Sequence, residues 1–113
     1  IVAKADPRAA EARKILRDVG IEPVTDPRNL VVLPHSYHAS LHTTAYHSYV
    51  TERLRLVEGD KEGVEATLAS LRAEIFARSV AGIRWNLSLY IYFLSISKEV
   101  STPYDSIEKI RVF

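Results

Sequence analysis

The chain contains no cysteine among its 113 residues. Disulfides and thiolate metal centres are therefore excluded, which suits a reducing cytoplasm or a protein that crosses between compartments. It also lacks a charge bias. Fifteen Lys and Arg stand against 14 Asp and Glu, a net charge of +1, spread evenly along the chain. Proteins that depend on non-specific nucleic-acid binding are usually more basic than this. If DNA or RNA is a substrate, it must be met by a local patch. No long hydrophobic run is present either. The most apolar stretch, Leu87 to Ile96, falls far short of the ~20 residues that span a bilayer, so no membrane insertion is expected. Ile1-Val2-Ala3-Lys4 lacks the basic-then-apolar layout of a signal peptide. There is no internal repeat and no low-complexity segment.

What is present suits one folded domain. Apolar residues make up 47% of the chain, and its length supports a single core. Asp6-Pro7 is a helix start, an N-cap acceptor followed by proline at the first helical position. Ala9, Ala12, Ile15, Leu16 and Val19 recur at helical spacing before Gly20, which predicts a first helix over Pro7 to Val19. Pro23 and Pro27 punctuate a loop, and Leu30 to Leu33 reads as a brief strand or extended segment ending at Pro34. A second helix is expected from about Ser40 to Val57, closed by Glu58-Gly59. Asp60 can cap a third that carries Val64, Leu68, Leu71, Ile75 and Phe76 and ends near Gly82. From Ile83 onwards β-branched and aromatic residues dominate. A C-terminal β-hairpin is the preferred reading there, with a buried helix from Trp85 to Lys98 as the alternative.

The chemistry-bearing residues gather around His38-Ala39-Ser40-Leu41-His42-Thr43-Thr44-Ala45-Tyr46. Two histidines four apart share a helical face with Cβ atoms ~6 Å apart, within reach of one metal ion or one phosphate. Position 39 is alanine, where the H-E-x-x-H metalloprotease pattern needs glutamate, so protease chemistry is disfavoured. His42 is the prime candidate, against a buried histidine bonded to a carbonyl. His38 accompanies it unless it falls before the helix begins. Tyr46, one turn on, either bonds a phosphate oxygen and orients His42, or is a core tyrosine with a wet hydroxyl. His35 lies near enough in sequence to reach the same pocket. His47 would sit about 140° around a continuous helix from His42, too far to share a ligand. Asn29 is turn chemistry or an amide that braces the loop. Arg28 and Arg53 could neutralise phosphate, or be solvated surface arginines.

These residues also stand in an order that resembles a known family. Ile1-Val2-Ala3, Asp6-Pro7-Arg8-Ala9-Ala10, Ala12 to Leu16, Gly20-Ile21, Asn29, Leu33-Pro34 and His38 to Tyr46 are together similar to the bacterial AHH toxin nucleases of the HNH/endonuclease VII superfamily, from Ile1 to about Val80. The resemblance implies a mostly helical α+β fold, with a small ββα-metal core embedded in helices. That places a nuclease domain over residues 1–82 and an extension over 83–113. It implies cleavage of phosphodiester bonds in DNA or RNA with a divalent metal, Mg²⁺, Mn²⁺ or Zn²⁺. His38 and His42 would be metal ligands, and Asn29 would match the central asparagine of the HNH pattern. It implies, too, a secreted or injected effector that acts in the cytoplasm of competing bacteria and is neutralised by a cognate immunity protein. The family's Ala-His-His triplet, which supplies the general base, would stand immediately before Ile1. Without it, weak or no activity is expected, by a factor of ~10²–10⁴.

Two rival readings come from other classes. A silent module that binds an immunity or carrier protein would have buried or divergent histidines and a large exposed apolar patch. A structural zinc site on His35, His38 and His42 would need a closed cluster with a fourth ligand. The nuclease reading requires His38 and His42 to converge in an open cleft beside Asn29 and the N-terminal residues.

Overall fold

Residues 1–85 are described by a computed structural model of the chain. Expectations for the segment beyond them, including the hairpin and the alternative helix to Lys98, lie outside the described residues. The first helix forms as its signals predict. The Asp6 carboxylate accepts from the Arg8 backbone N–H at 2.9 Å, one 3₁₀ turn runs over Pro7–Ala9, and α1 follows over Ala10–Asp18. Gly20 takes the left-handed conformation, φ 83°, that ends it. A second 3₁₀ turn, Pro27–Asn29, repeats the Asx-Pro start, with Asp26 accepting from the Arg28 N–H.

The expected helix from Ser40 to Val57 is instead two helices. α2 spans His35–Leu41 and α3 spans Thr44–Arg55. The cause is local. Thr43 is extended, at φ −93° and ψ 164°, and its hydroxyl caps α3 by accepting from the Tyr46 N–H at 3.1 Å. The same hydroxyl donates to the Trp85 carbonyl at 3.2 Å. α4 covers Lys61–Ala81 and ends at Gly82 in the left-handed conformation, as expected. Asp60 precedes it, but its side chain makes no capping bond.

α1 and the Pro7–Ala9 turn pack on α3, which in turn packs on α4, and α4 also contacts the Pro27–Asn29 turn. The core between them is apolar: Ile15, Leu16, Leu54, Leu68, Leu71 and Ile75 are all essentially inaccessible. Trp85 is buried with them and lies against the rings of Tyr46 and Tyr49.

The architecture is thus mostly helical, as expected, but the described residues contain no β-strand. The ββα core is not formed there. Leu30 is extended, but residues 30–33 form no strand. Arg72 takes the carbonyls of Pro27, Arg28 and Leu30, and Pro34 closes the segment without a donor. Residues Ile1 to Ala3 lie beside this stretch, joined to it at Asn29 rather than through a sheet.

Candidate active site

A cavity of about 770 Å³ opens between the N-terminal segment, the 29–33 stretch and α2. Its walls include Ile1, Lys4, Asp6, Asn29, His38 and His42. His38 projects from the last turn of α2, and His42 is the residue on which α2 ends. Although the helix breaks at this point, the two imidazoles still meet, with Nε2 to Nε2 3.4 Å apart and the rings edge to face. Burial, with a smaller contribution from His38, pulls the His42 pKa below the ordinary histidine value. Burial thus favours the neutral form of the ring.

The other two members of the predicted set do a different job. Asn29 is 2% exposed, and its amide is spent on the main chain. Oδ1 accepts from the Val2 N–H at 2.7 Å, and Nδ2 donates to the carbonyls of Val2 and Pro23 at 2.9 and 2.8 Å. The Ile1 nitrogen adds a bond to the Asn29 carbonyl. Tyr46 is 1% exposed, and its hydroxyl donates to the Ile1 carbonyl at 2.5 Å. Burial raises its pKa, so the hydroxyl stays a donor. Together these two side chains fasten the Ile1–Val2 backbone along the cavity, and the Tyr46 ring stands edge-on to His42 at 5.8 Å.

Arg28 and Arg53 do not line the cavity. Arg28 pairs with Asp26 and Glu65. Arg53 pairs with Glu74 at 2.7 Å and donates to the Tyr49 hydroxyl. His35 begins α2 and is exposed. It is absent from the cavity wall.

Sequence reasoning missed His47. Its ring stacks on His42 at 5.3 Å with an interplanar angle of 28°, and it is 3% exposed. The 140° separation holds only for an unbroken helix, and the break at His42–Thr43 removes it. His47 Nε2 lies 3.4 Å from Asp6 Oδ2, and burial lowers the His47 pKa. Asp6 itself is held well below the usual carboxylate range by Arg8, chiefly through their side-chain hydrogen bonds. The signal for all this was Thr43, a capping residue three positions before Tyr46, which marks a helix start.

The sequence model of a nuclease family of the HNH/ENDO VII superfamily with conserved AHH matches residues 1–83. The chain belongs to this family. The match takes in the four helices of the described residues, the cavity and both of its histidines, so the AHH nuclease assignment rests on residues the structure describes. Nuclease activity is therefore the family-level function, and nucleic acid the family-level substrate. No curated protein and no solved structure matches the chain. Among the described residues no helix is long and apolar enough to cross a membrane.

The cavity can be tested against a divalent ion on its own geometry. Two nitrogens bound at 2.0–2.1 Å in a tetrahedral site lie about 3.3–3.4 Å apart, which is the separation of the two Nε2 atoms. No group of three His, Cys, Asp or Glu converges among the described residues. His38 and His42 could hold an ion only together with ligands from outside this pair.

Proposed function

We propose that this chain is a metal-dependent endonuclease domain whose site is the cavity faced by His38 and His42. The observation that supports this best is the 3.4 Å approach of the two Nε2 atoms in a cavity walled by the N-terminal segment that Asn29 and Tyr46 hold in place. A divalent ion held by His38 and His42 would supply Lewis-acid stabilisation of charge on the scissile phosphate. The chain's own residues supply position. Asn29 and Tyr46 fix the direction in which the backbone runs at Ile1–Val2, next to the two imidazoles. Lys4, exposed on the same wall, offers a cation to a phosphate that enters. Asn29 therefore acts through the backbone it holds, and not by touching substrate.

The biological setting follows the family resemblance: a toxin domain delivered into competing bacteria, cleaving their DNA or RNA, with an immunity protein guarding the producer. The Ala-His-His that gives the family its name does not occur in these 113 residues, and the general base of the reaction is assigned to that triplet. The rival binding module required divergent or buried histidines. Their convergence on one open cavity favours the nuclease.

The test is cleavage of plasmid DNA and total RNA with Mg²⁺, Mn²⁺ or Zn²⁺, each with and without EDTA. It compares the chain starting at Ile1 with the chain extended by Ala-His-His before Ile1. Cleavage by the extended chain, stopped by EDTA and weaker by ~10²–10⁴ in the other, is the expected result. A folded extended chain that cleaves neither nucleic acid with any of the metals would overturn the proposal.

A further inference from the structure

The break between α2 and α3 has an unusual hydrogen-bond economy. In a continuous helix the His42 carbonyl would accept from the Tyr46 N–H. Here that N–H goes to the Thr43 hydroxyl at 3.1 Å, which leaves the His42 carbonyl without its helical partner. Arg8 supplies one. Its Nη2 donates to the His42 carbonyl at 3.1 Å, and its Nη1 donates to the Thr44 hydroxyl at 3.1 Å. The other edge of the same guanidinium is bound to Asp6, Nε to Oδ1 at 3.1 Å and Nη2 to Oδ2 at 2.8 Å. Asp6 Oδ2 in turn lies 3.4 Å from Nε2 of His47, whose ring supports that of His42. One ion pair, 34 or more residues away in sequence, therefore holds the His42 backbone through Arg8, while its Asp6 lies beside the imidazole on which the His42 ring stacks.

We propose that Arg8, oriented by Asp6, is a positioning residue that fixes His42 in the orientation facing His38. His42 sits at φ −78° and ψ 65°, outside the helical region, and without the guanidinium its carbonyl would be free to turn. Lysine keeps the charge but not the planar fork that spans Asp6, His42 and Thr44 at once. The catalytic part of this inference rests on the reading of His38 and His42 as the site, whereas the geometry it invokes does not.

The experiment uses the full chain and three variants: Arg8→Lys, Asp6→Asn, and His42→Ala as the control for signal assignment. Asp6→Asn keeps an effective helix cap but removes the charge that holds the guanidinium. Two quantities are read, the nuclear Overhauser contacts between the His38, His42 and His47 rings and the affinity for Zn²⁺ alone. In the parent chain the His42 ring should show contacts to both other rings. Arg8→Lys and Asp6→Asn should each weaken or abolish them while the core methyl signals stay in place, and Zn²⁺ binding should weaken about ten-fold or more, as when outer partners of a ligating histidine are lost. Unchanged ring contacts in a folded Arg8→Lys or Asp6→Asn protein would overturn the inference. So would a parent chain in which His42 contacts neither ring. Ring contacts that respond as expected, in a protein whose Ala-His-His-extended form cleaves no nucleic acid, would sink the nuclease reading and leave the positioning role standing.

Discussion

Asn29 shows how one side chain can stand in for a sheet. A primary amide offers one acceptor and two donors in a plane, which matches the donor and acceptor that an extended residue presents to a neighbouring strand. Here it meets both polar groups of Val2 and adds the Pro23 carbonyl. Replacing it with alanine would leave these groups buried and unpaired, a cost of roughly 1–3 kcal/mol. Asn29→Ala is therefore expected to lower the Tm by several degrees and to reduce cleavage with it, because the Ile1–Val2 wall of the cavity loosens. Thermal denaturation beside the cleavage assay checks both. His42 is the opposite case. It is only partly buried and its Nδ1 makes no hydrogen bond among the described residues, so His42→Ala should leave the Tm close to that of the parent.

Among the elements, the helices with clear end signals were legible in advance. Asp6-Pro7 with Gly20, and the run ending in Gly82, bracket apolar residues at helical spacing, and both helices form. The α2–α3 break was hidden because His38, His42 and Tyr46 keep a period of four straight across it. Periodicity reports a shared face but not a continuous backbone. The facing of His38 and His42 therefore survives the break, whereas His47, set far around a continuous helix, comes to stack on His42. Thr43→Ala tests the origin of the break. Losing the cap should cost about 1 kcal/mol, with Thr43→Ser restoring most of it, since serine keeps the hydroxyl that takes the Tyr46 N–H. If denaturant midpoints of Thr43→Ala and Thr43→Ser coincide, the cap is not what holds α3 apart from α2.

Taken whole, the described part of the molecule is a helical body tied to its irregular cavity wall by arginines. Arg13 donates to the carbonyls of Ala3 and Asp6. Arg72 reaches those of Pro27, Arg28 and Leu30, and Arg8 takes that of His42. An even charge balance gave no hint of this, because these arginines serve backbone carbonyls that no residue pattern reveals. Arg72→Lys, which retains the charge but cannot span three carbonyls, is expected to cost about 1–2 kcal/mol in chemical denaturation. The pH dependence of stability follows from the buried His47 and the partly buried His42. Burial holds His42 and His47 below the ordinary histidine pKa, so the unfolded chain binds more protons as the pH falls below about 6.5. The stability they provide is complete above that pH and is lost on acidification towards their folded values. The Tm should fall between pH 7 and pH 5, and His47→Gln should flatten that fall. An equally steep fall in His47→Gln would assign it to other groups.

The central claim is that the His38–His42 pair is where a nucleic acid is cut. Its most direct test is the rate of metal-dependent cleavage by the Ala-His-His-extended chain beside its His42→Ala variant, with the Tm of each measured in the same buffer. Cleavage that drops by ~10² or more in a variant of unchanged Tm is the expected outcome. A His42→Ala protein that cuts as fast as its parent would contradict the account and move the active site elsewhere on the chain.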